Sequence, residues 1–581
     1  MKGRSSHYDL FPFTPVSDND ADCRVGWSAI GKTLGMARRV AVELYPGCFE
    51  EEIAAALVDA LNPDLVLRTQ EAFLSPEQLN EKFSGALGAD PVFGHMEPWQ
   101  IEDFFCSAKL RRLAQQAEAA SGRVLVIGTG ATFVLPRPDS LIFADLARWE
   151  IQRRQRAHRI PNLGMLNAEA SPAALYKRAF FVDWRAADRL KVQLFDRIDF
   201  LLDTHVEAQP RLISGEDVRK GLRKTVAQPF RVVPFFDPGP WGGHWMKDRF
   251  GLPDGPPNYA WCFDCVPEEN SLVLGFGQQR VEIPALDAVL YCPEELLGRK
   301  VYEAFGAEFP IRFDYLDTMG GGNLSLQVHP LREYIREKFG VDYTQDESYY
   351  MMDAAEDGVV YLGLRENIDC EQMKRDLERA QCDPDAPFPA EQYVNVWPAG
   401  KHDHFLIPAG TIHCSGRNGV VLEISATPYI FTFKLWDWRR LGLDGKPRPI
   451  HLQHGIANIQ WNRTTAWVRE NLISPAVPMG EGDGWREEKT GLHQLEFIET
   501  RRHWFTGVVP HHTKGTVNVL NLVEGEAAVV ESPSKAFHPV IVHYGETFIV
   551  PARVGAYTIR PHRPSATTLA TMKAFVRGTE Q

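Results

Sequence analysis

The stretch NLSLQVHPLREYIREKFGVDYTQDESYYMMD, Asn323 to Asp353, carries Gln327 and His329 two residues apart in an alternating apolar run. It also carries Glu347 at the head of a second apolar run, and the later segment IPAGTIH ends at His413. Side chains two apart on a β-strand point to the same face, so Gln327 and His329 can reach one point from a single strand. With Glu347 and His413 from other strands, they would form a mixed nitrogen and oxygen ligand set suited to a divalent cation such as zinc. On residue types alone, a lone histidine beside a proline, such as His329, is more often a packed or surface residue than a metal ligand.

Four short motifs follow one another in a fixed order, and together they resemble the type I mannose-6-phosphate isomerases, a cupin family. They are PWGGHWMK (Pro240 to Lys247), LSLQVHP (Leu324 to Pro330), DESYYMMDA (Asp346 to Ala354), and IPAGTIH followed by VVLE (Val420 to Glu423). That family holds its metal through the Gln and His of a Gln-x-His-Pro motif, a Glu and a later His. The resemblance covers roughly Arg231 to the C-terminus. It implies that Gln327, His329, Glu347 and His413 hold one Zn²⁺ or another divalent metal per chain.

The same resemblance implies an aldose-ketose isomerase that interconverts mannose 6-phosphate and fructose 6-phosphate, or a related hexose phosphate, through an enediol. Glu423 matches an acidic position lining the family's pocket and is a candidate base, with a hydrogen-bonded structural carboxylate as the alternative. Lys434, in FKLWD, stands where the family carries an Arg, and it lacks the planar fork that grips an anion in two places. Gln345 stands where the family usually has a Lys. Both departures fall where the family handles substrate.

Other cations could bind the substrate's phosphate in their place. Lys247 lies in the Trp-Gly-Gly segment, Arg439 and Arg440 directly follow LWDW, and Arg448 lies in RPIHL. We predict a substrate-binding role for these four residues.

The length and charge of the chain limit its class. At 581 residues it is too long for one ordinary domain, and its net charge of -13 argues against a nucleic-acid or anionic-membrane partner. No apolar run approaches the length of a membrane span, and the nine scattered cysteines are consistent with reduced thiols, so we expect a cytoplasmic protein. The predicted partner is a small-molecule sugar phosphate, and no oligomeric state follows from the sequence.

The predicted fold is multidomain: an α/β region followed by an all-β double cupin (jelly-roll) with a helical insertion. We expect a three-layer α/β domain over residues 1–205, a linker over 206–230, a metal-binding cupin domain over 231–455, and a second cupin-like domain without metal over 456–581. The helical insertion is predicted at Glu371 to Ala380. In the last domain, His511 and His512 are adjacent and should face opposite sides of a strand.

The α/β region faintly resembles a degenerate P-loop nucleoside kinase. Residues 26–33, GWSAIGKT, match the GxxxxGK[ST] pattern, but a polar segment precedes them and a strand follows within a few residues. We therefore predict a short helix there rather than nucleotide binding by Lys32. The basic segment ARWEIQRRQRA predicts a helix whose arginines, Arg148, Arg153, Arg154 and Arg156, form a solvated face.

Three alternatives to the isomerase stay open at the level of sequence. The chain could be a bifunctional kinase-isomerase, or a non-catalytic sugar-binding or regulatory cupin that kept the metal. A cupin dioxygenase is a weaker third, because such enzymes generally use a His-rich ligand set, for which only His402 and His404 near the IPAG turn are available.

Overall fold

The computed structural model describes residues 7–383, 386–426, 429–473, 476–491, 493–564 and 567–579. The N-terminal region alternates strands and helices. Its elements are β1 (Phe13–Ser17), β2 (Arg24–Val25), α1 (Trp27–Leu34), β3 (Arg39–Leu44), α2 (Glu50–Leu61), β4 (Leu65–Arg68), α3 (Pro76–Leu87), α4 (Ser107–Ala119), β5 (Val124–Gly128), α5 (Ala131–Val134), β6 (Ser140–Asp145), α6 (Arg148–Arg156), α7 (Pro172–Arg178), α8 (Trp184–Leu194), β7 (Phe200–Asp203), β8 (Arg211–Ser214) and α9 (Gly215–Thr225).

Seven of these strands form one sheet in the order β2-β8-β7-β6-β3-β5-β4. Strands β4, β5, β3, β6 and β7 run parallel, and β8 and β2 add an antiparallel edge. The central strands β5 and β6 are buried along their whole length, as expected for a sheet covered on both faces. We call residues 19–225 the α/β region.

Residues 206–230, predicted as a linker, contribute regular structure to this region. Strand β8 pairs with β7 over four residues, and helix α9 follows with Ser214 as its N-cap. Leu212 and Ile213, which lie in the predicted linker, are buried apolar residues of β8. The sheet therefore extends beyond residue 205.

The GxxxxGKT match lies within helix α1, because residues 27–34 are helical and strand β3 begins at Arg39. A phosphate loop needs free backbone amides that wrap the phosphates ahead of a helix. In this protein the residues of the match form helix α1 itself instead of a loop ahead of a helix. This agrees with the prediction of a short helix at this place.

The prediction of a solvated arginine face on α6 is wrong for two of its four residues. Arg153 and Arg156 are exposed, but Arg148 and Arg154 are buried. Arg148 Nη2 donates to Asp188 Oδ2 at 2.6 Å, and Arg154 Nε donates to Glu150 Oε1 at 2.8 Å. Carboxylate partners allow a guanidinium to be buried, and Asp188 comes from a distant helix that a local reading of α6 does not include.

The central region, residues 235–436, holds most strands of the predicted metal domain. Its elements are β9 (Phe235–Asp237), α10 (Trp245–Phe250), β10 (Trp261–Cys265), β11 (Ser271–Phe276), β12 (Gln279–Pro284), α11 (Leu286–Tyr291), α12 (Pro293–Leu297), α13 (Arg299–Phe305), β13 (Arg312–Asp317), β14 (Leu326–Val328), α14 (Arg332–Phe339), β15 (Asp346–Ala354), β16 (Val359–Leu364), α15 (Cys370–Cys382), α16 (Ala390–Tyr393), β17 (Val394–Pro398), β18 (His404–Ile407), β19 (His413–Ser415), β20 (Gly419–Ala426) and β21 (Phe433–Trp436).

Two antiparallel sheets form a β-sandwich in this region. One has the order β18-β15-β20-β13-β10-β9 and the other β17-β16-β19-β14-β21. Helix α15 is the predicted helical insertion. A small third sheet, β1-β11-β12, ties the start of the chain to the central region, because β1 pairs in parallel with β11.

The C-terminal region is a second antiparallel sandwich, with sheets β22-β23-β24-β31-β26-β29 and β25-β30-β27-β28. His511 is buried and its neighbour His512 is exposed, as their adjacency on a strand predicts. The elements are α17 (Leu452–Asn458), α18 (Thr465–Asn471), β22 (Val477–Gly482), β23 (Trp485–Gly491), β24 (Ile498–Phe505), β25 (Val509–His512), β26 (Asn518–Glu524), β27 (Ala527–Glu531), β28 (Val540–His543), β29 (Thr547–Val550), β30 (Ala556–Pro561) and β31 (Leu569–Val576). Across the described ranges, no helix is both long and apolar enough to cross a membrane.

A buried lysine in this second sandwich leads to a stability prediction. Burial lowers the pKa of Lys573 to about 8, although Glu487 lies 3.9 Å away and opposes the shift. In the unfolded chain the pKa of a lysine is about 10.4, which is higher than in the folded state. Below pH 8 the lysine is charged in both states, and its burial as a charged group lowers the free energy of unfolding. We expect Lys573→Met to raise the free energy of unfolding at pH 7 by up to ~3 kcal/mol in urea denaturation.

The pH dependence of stability tests the same cause. Between about pH 8 and 10 the free energy of unfolding of the parent protein should rise with pH from this group, and the slope should be smaller in Lys573→Met. The exposed Lys535 supplies the control, because Lys535→Met removes a charge without removing a buried one. A Lys573→Met variant less stable than the parent at pH 7 would contradict the prediction.

Candidate active site

Four predicted ligand side chains converge between the two sheets of the central sandwich. Gln327 on β14 pairs directly with His413 on β19, and His329 follows β14 just before Pro330. Glu347 comes from β15 in the opposite sheet. Ligand atoms of His329, Glu347 and His413 all lie within 4.8 Å of one another, and all three residues are buried. Gln327 lies beside them, with its amide nitrogen 3.3 Å from His413 Nε2. Its Oε1, the atom that can ligate a cation, accepts from Ser325 Oγ at 3.1 Å.

The orientation of the two histidine rings fits a cation between them. His329 Nδ1 donates to the carbonyl of Phe431 at 2.9 Å, and His413 Nδ1 donates to the carbonyl of Thr411 at 2.9 Å. A carbonyl only accepts, so each ring presents Nε2 to Glu347, at 3.0 Å from His329 and 2.8 Å from His413. Either protons or a metal ion must lie between these nitrogens and the carboxylate, and Nε2 coordination with Nδ1 held by a carbonyl is the usual arrangement of a metal-binding histidine.

Gln345 connects the Glu347 carboxylate to the neighbouring backbone. Its Nε2 donates to Glu347 Oε2 at 3.1 Å, and its Oε1 accepts from the backbone N–H of Phe431 at 3.1 Å. The residue that stands in place of the family's Lys is therefore a bridge that fixes Glu347. Although burial opposes it, the nearby His329 and His413 hold the pKa of Glu347 well below its usual value.

A row of acidic side chains crosses the sheet next to Glu347. Asp314 on β13 and Glu423 on β20 are register partners, and Tyr349 on β15 is the partner of Glu423 on the other side. Burial, with Asp314 and Glu347 adding like charge, raises the pKa of Glu423 well above its usual value. Burial also raises the pKa of Asp314 to about 7, with Arg312 opposing the shift. Carboxyl groups of this kind can exchange a proton near neutral pH.

Gln327, Gln345, Asp314 and Glu423 border one cavity of about 320 Å³, within the range of small-molecule sites. Its polar wall carries the acidic row and the cations, and much of the remaining wall is aromatic. The lining residues are Val92, Phe93, Ala173, Tyr176, Trp241, Trp261, Phe263, Arg312, Asp314, Leu316, Leu324, Ser325, Gln327, Gln345, Glu423, Tyr429, Ile430, Thr432, Lys434, Arg448, Pro449 and His451.

Lys434 and Arg448 are the two predicted cations that reach this cavity. Lys434 is the register partner of Gln327, so Lys434, Gln327 and His413 follow one another across three neighbouring strands. Burial, with Arg448 adding like charge, lowers the pKa of Lys434 to about 8. Its ammonium has no hydrogen-bond or ion-pair partner among the described residues. Arg448 Nη1 donates to Asp437 Oδ2 at 2.7 Å and so is partly neutralised.

The other three predicted substrate residues do not line the cavity. Arg440 pairs with Asp437, the partner of Arg448, at 2.8 Å and lies 5.8 Å from the ring of Trp241. Lys247 pairs with Asp254 at 2.5 Å, and Arg439 donates to the carbonyl of Asp383 at 3.3 Å. From the Trp-Gly-Gly segment it is Trp241, not Lys247, that borders the cavity.

Asp314, Arg312 and His451 are site residues that the sequence reading missed. Arg312 and Asp314 alternate on β13 and point to the same side, a pattern visible in RFDYLD. His451 belongs to the RPIHL segment, of which only the arginine was considered. Burial, together with the Lys434 charge, lowers the pKa of His451 to about 4, so its imidazole is neutral.

The fold and the geometry together define the class of site. A β-sandwich surrounds a buried Gln, His, Glu and His, and acidic and basic side chains lie along one cavity. Known proteins agree with it. The chain is 26% identical over 239 residues to the mannose-6-phosphate isomerase ManA of Bacillus subtilis, covering 40% of this chain and 68% of that one. It is 25% identical over 234 residues to the mannose-6-phosphate isomerase of Streptococcus mutans, covering 39% and 68%. These relatives support a mannose-6-phosphate isomerase-like enzyme.

Two further comparisons cover other parts of the chain. The solved mannose 6-phosphate isomerase of Bacillus subtilis aligns over 60% of this chain and 99% of its own, with 19% identity and a TM-score of 0.47. Residues 26–227 match a family described as a domain of unknown function, DUF8485. That match coincides with the α/β region.

Proposed function

We propose that the chain is a metal-dependent aldose-ketose isomerase that interconverts mannose 6-phosphate and fructose 6-phosphate. The observation that carries the proposal is the arrangement of one cavity. Gln327, two carboxyls with raised pKa values, and a lysine with no ion-pair partner among the described residues border this cavity. The buried His329, Glu347 and His413 cluster is joined to the cavity wall through Gln327 and Gln345. Isomerisation needs these three elements together: positive charge at a developing oxyanion, a proton carrier and an anion-binding group.

In this proposal Gln327, His329, Glu347 and His413 hold a zinc ion. A divalent ion bound there supplies positive charge to the oxygen on which an enediol develops its negative charge. Phe431 and Thr411 keep the two histidines in the tautomer that presents Nε2. Gln345 holds the Glu347 carboxylate towards those nitrogens.

Glu423 is the proposed proton carrier, with Asp314 as its partner. The two carboxyls repel each other when both are ionised, so one of them retains a proton near neutral pH. The ionised carboxylate of the pair takes the proton from C2 of the aldose and, once protonated, gives it to C1, while a proton passes from the C2 hydroxyl to the C1 oxygen. Arg312 lowers the pKa of both carboxyls and so favours their ionised forms. Lys434 provides positive charge to the oxygen of the substrate.

Lys434 and Arg448 are the proposed anion-binding groups, and Trp241 and Phe263 offer the apolar faces of a sugar a surface to pack on. Arg440 acts indirectly in this proposal, by sharing Asp437 with Arg448. Lys247 and Arg439 have no part in it.

The proposal predicts activity that depends on metal. A coupled assay of purified protein should convert mannose 6-phosphate to fructose 6-phosphate, lose that activity after chelation and dialysis, and recover it with zinc. Magnesium added at the same concentration is the control, because it prefers oxygen ligands and should restore little. A protein that binds zinc stoichiometrically yet converts no hexose 6-phosphate would contradict the isomerase. Tight sugar-phosphate binding in that protein would identify a non-catalytic cupin instead.

We do not propose kinase activity for the α/β region. The phosphate-loop motif lies inside helix α1, whereas a phosphate loop precedes its helix. Two of the four arginines of α6, Arg148 and Arg154, are paired with carboxylates inside the protein. This region remains the least explained part of the chain by sequence alone, and its contacts suggest a different role.

A further inference from the structure

Phe93 of the α/β region is packed into the central region beside the candidate metal centre. Its side chain is 2% exposed. It lies in the loop after α3, yet its ring packs mainly against aromatic rings that follow the metal-binding strands. The rings within 5.8 Å belong to Phe339, Phe431, Phe433, His451 and His454.

Phe431, on which Phe93 stacks at 5.8 Å, is the residue whose backbone orients two of the candidate ligands. Its carbonyl accepts from His329 Nδ1, and its N–H donates to Gln345, which in turn holds Glu347. A shift of the Phe431 backbone would therefore disturb both ligands together. The phenyl ring of Phe93 stacks on the ring of Phe431, so its removal would leave a cavity beside this residue.

The loop that carries Phe93 is fixed by Asp90. Asp90 Oδ1 accepts from the backbone N–H groups of Val92 and Phe93, both at 2.7 Å. Its second oxygen lies 3.2 Å from His454 Nε2, and the other ring nitrogen of His454 lies 2.7 Å from the Tyr334 hydroxyl. Asp90 thus both shapes the loop and attaches it to the central region.

A second contact from the same region closes the cavity. Tyr176 on α7 lines the cavity and stacks on Tyr429 at 5.6 Å, two residues before Phe431. Phe180 also packs on Tyr429, with the ring centroids 4.5 Å apart. Both ends of the Tyr429–Phe433 segment therefore pack on the α/β region.

We infer that the α/β region is a positioning element of the metal centre, acting through Phe93 and Tyr176 on the Tyr429–Phe433 segment. The inference deepens the proposed function and rests on it in so far as the four ligands bind a metal. It gives the first part of the chain a role that needs neither nucleotide nor phosphoryl transfer. The site would be incomplete without it.

Metal affinity tests the inference independently of catalysis. The zinc dissociation constant, measured by competition with a chromophoric chelator, should be at least ~10-fold larger for Phe93→Ala than for the parent. This is the effect expected when an outer partner of a metal ligand is lost. Phe93→Met, which keeps most of the side-chain volume, should stay within about 3-fold of the parent. Asp90→Ala, at a half-buried position, should also weaken zinc binding, because it releases the loop that carries Phe93.

Phe105→Ala is the matched control, because Phe105 is also buried in the α/β region but packs on Phe73 and Phe133, away from the metal site. It should lose stability and keep the zinc affinity of the parent. Parent-like zinc affinity in folded Phe93→Ala and Asp90→Ala would overturn the inference, as would equal weakening in Phe105→Ala. A parent that binds zinc but does not isomerise sugar phosphates overturns only the proposed function, whereas a parent that binds no metal overturns both.

Discussion

Glu347→Gln is expected to reduce kcat/KM for mannose 6-phosphate at least ~10³-fold. A bound metal supplies several kcal/mol of charge stabilisation to the transition state, and each ~1.4 kcal/mol corresponds to a tenfold change in rate. Glu347 is the charged member of the ligand set and the one that faces both histidines, at 3.0 Å and 2.8 Å. The neutral amide keeps the shape of the side chain and removes the charge, so the loss should appear as lost metal.

Zinc content per chain, measured by mass spectrometry on dialysed protein, should fall with the activity. Glu356→Gln is the matched control, because Glu356 is exposed beyond the end of the same strand. That variant should keep the zinc content and rate of the parent. Full activity with one zinc per chain in Glu347→Gln would show that the metal does not use this carboxylate.

The candidate ligands could be found in the sequence because their signal is local. Gln327 and His329 are two residues apart in an extended segment, so their side chains share a face whatever the prediction for the surrounding fold. Glu347 and His413 lie on other strands, and only the ordered motifs placed them with the first pair. The strands then brought all four side chains to one point, with Gln327 and His413 as direct register partners.

The substrate residues could not be ranked in the same way. Arg439, Arg440 and Arg448 lie within ten residues of each other, and composition does not distinguish them. The structure distinguishes them by their partners. Asp437 pairs with Arg440 and Arg448, and a backbone carbonyl accepts a hydrogen bond from Arg439. Which cation stays free depends on carboxylates and turns that only the folded chain brings together.

The long-range contacts of the α/β region could not be predicted from the sequence either. Strands β3, β5 and β6 can be recognised from the sequence, because buried parallel strands are continuous apolar runs. Strand β8 lies in the segment predicted as a linker. Nothing in the segment around Phe93 indicated a contact with residues more than 240 positions later, since an isolated aromatic in a loop has no periodicity. Arg148 and Arg154 were assigned to solvent for a related reason, because long-range partners are invisible to a helical pattern.

Lys434→Met is expected to lower kcat/KM about 10²–10³-fold while leaving zinc content unchanged, the usual cost of removing one fixed charge-stabilising group from an active site. Lys434 lies beside Gln327 in the sheet, borders the cavity, and has no ion-pair partner among the described residues, so its charge is directed at whatever fills the cavity. Lys446→Met, at an exposed position nearby, should have the activity of the parent.

The pH profile separates a charge effect from lost packing. Burial, reinforced by Arg448, places the pKa of Lys434 at about 8, so kcat/KM of the parent should fall as the pH rises through about 8 and the lysine loses its proton. An arginine at this position stays protonated across that range. Lys434→Arg should therefore retain much of the activity at pH 7 and lose the decline above pH 8. An unchanged decline in Lys434→Arg would assign that titration to another group and leave Lys434 as a packing residue.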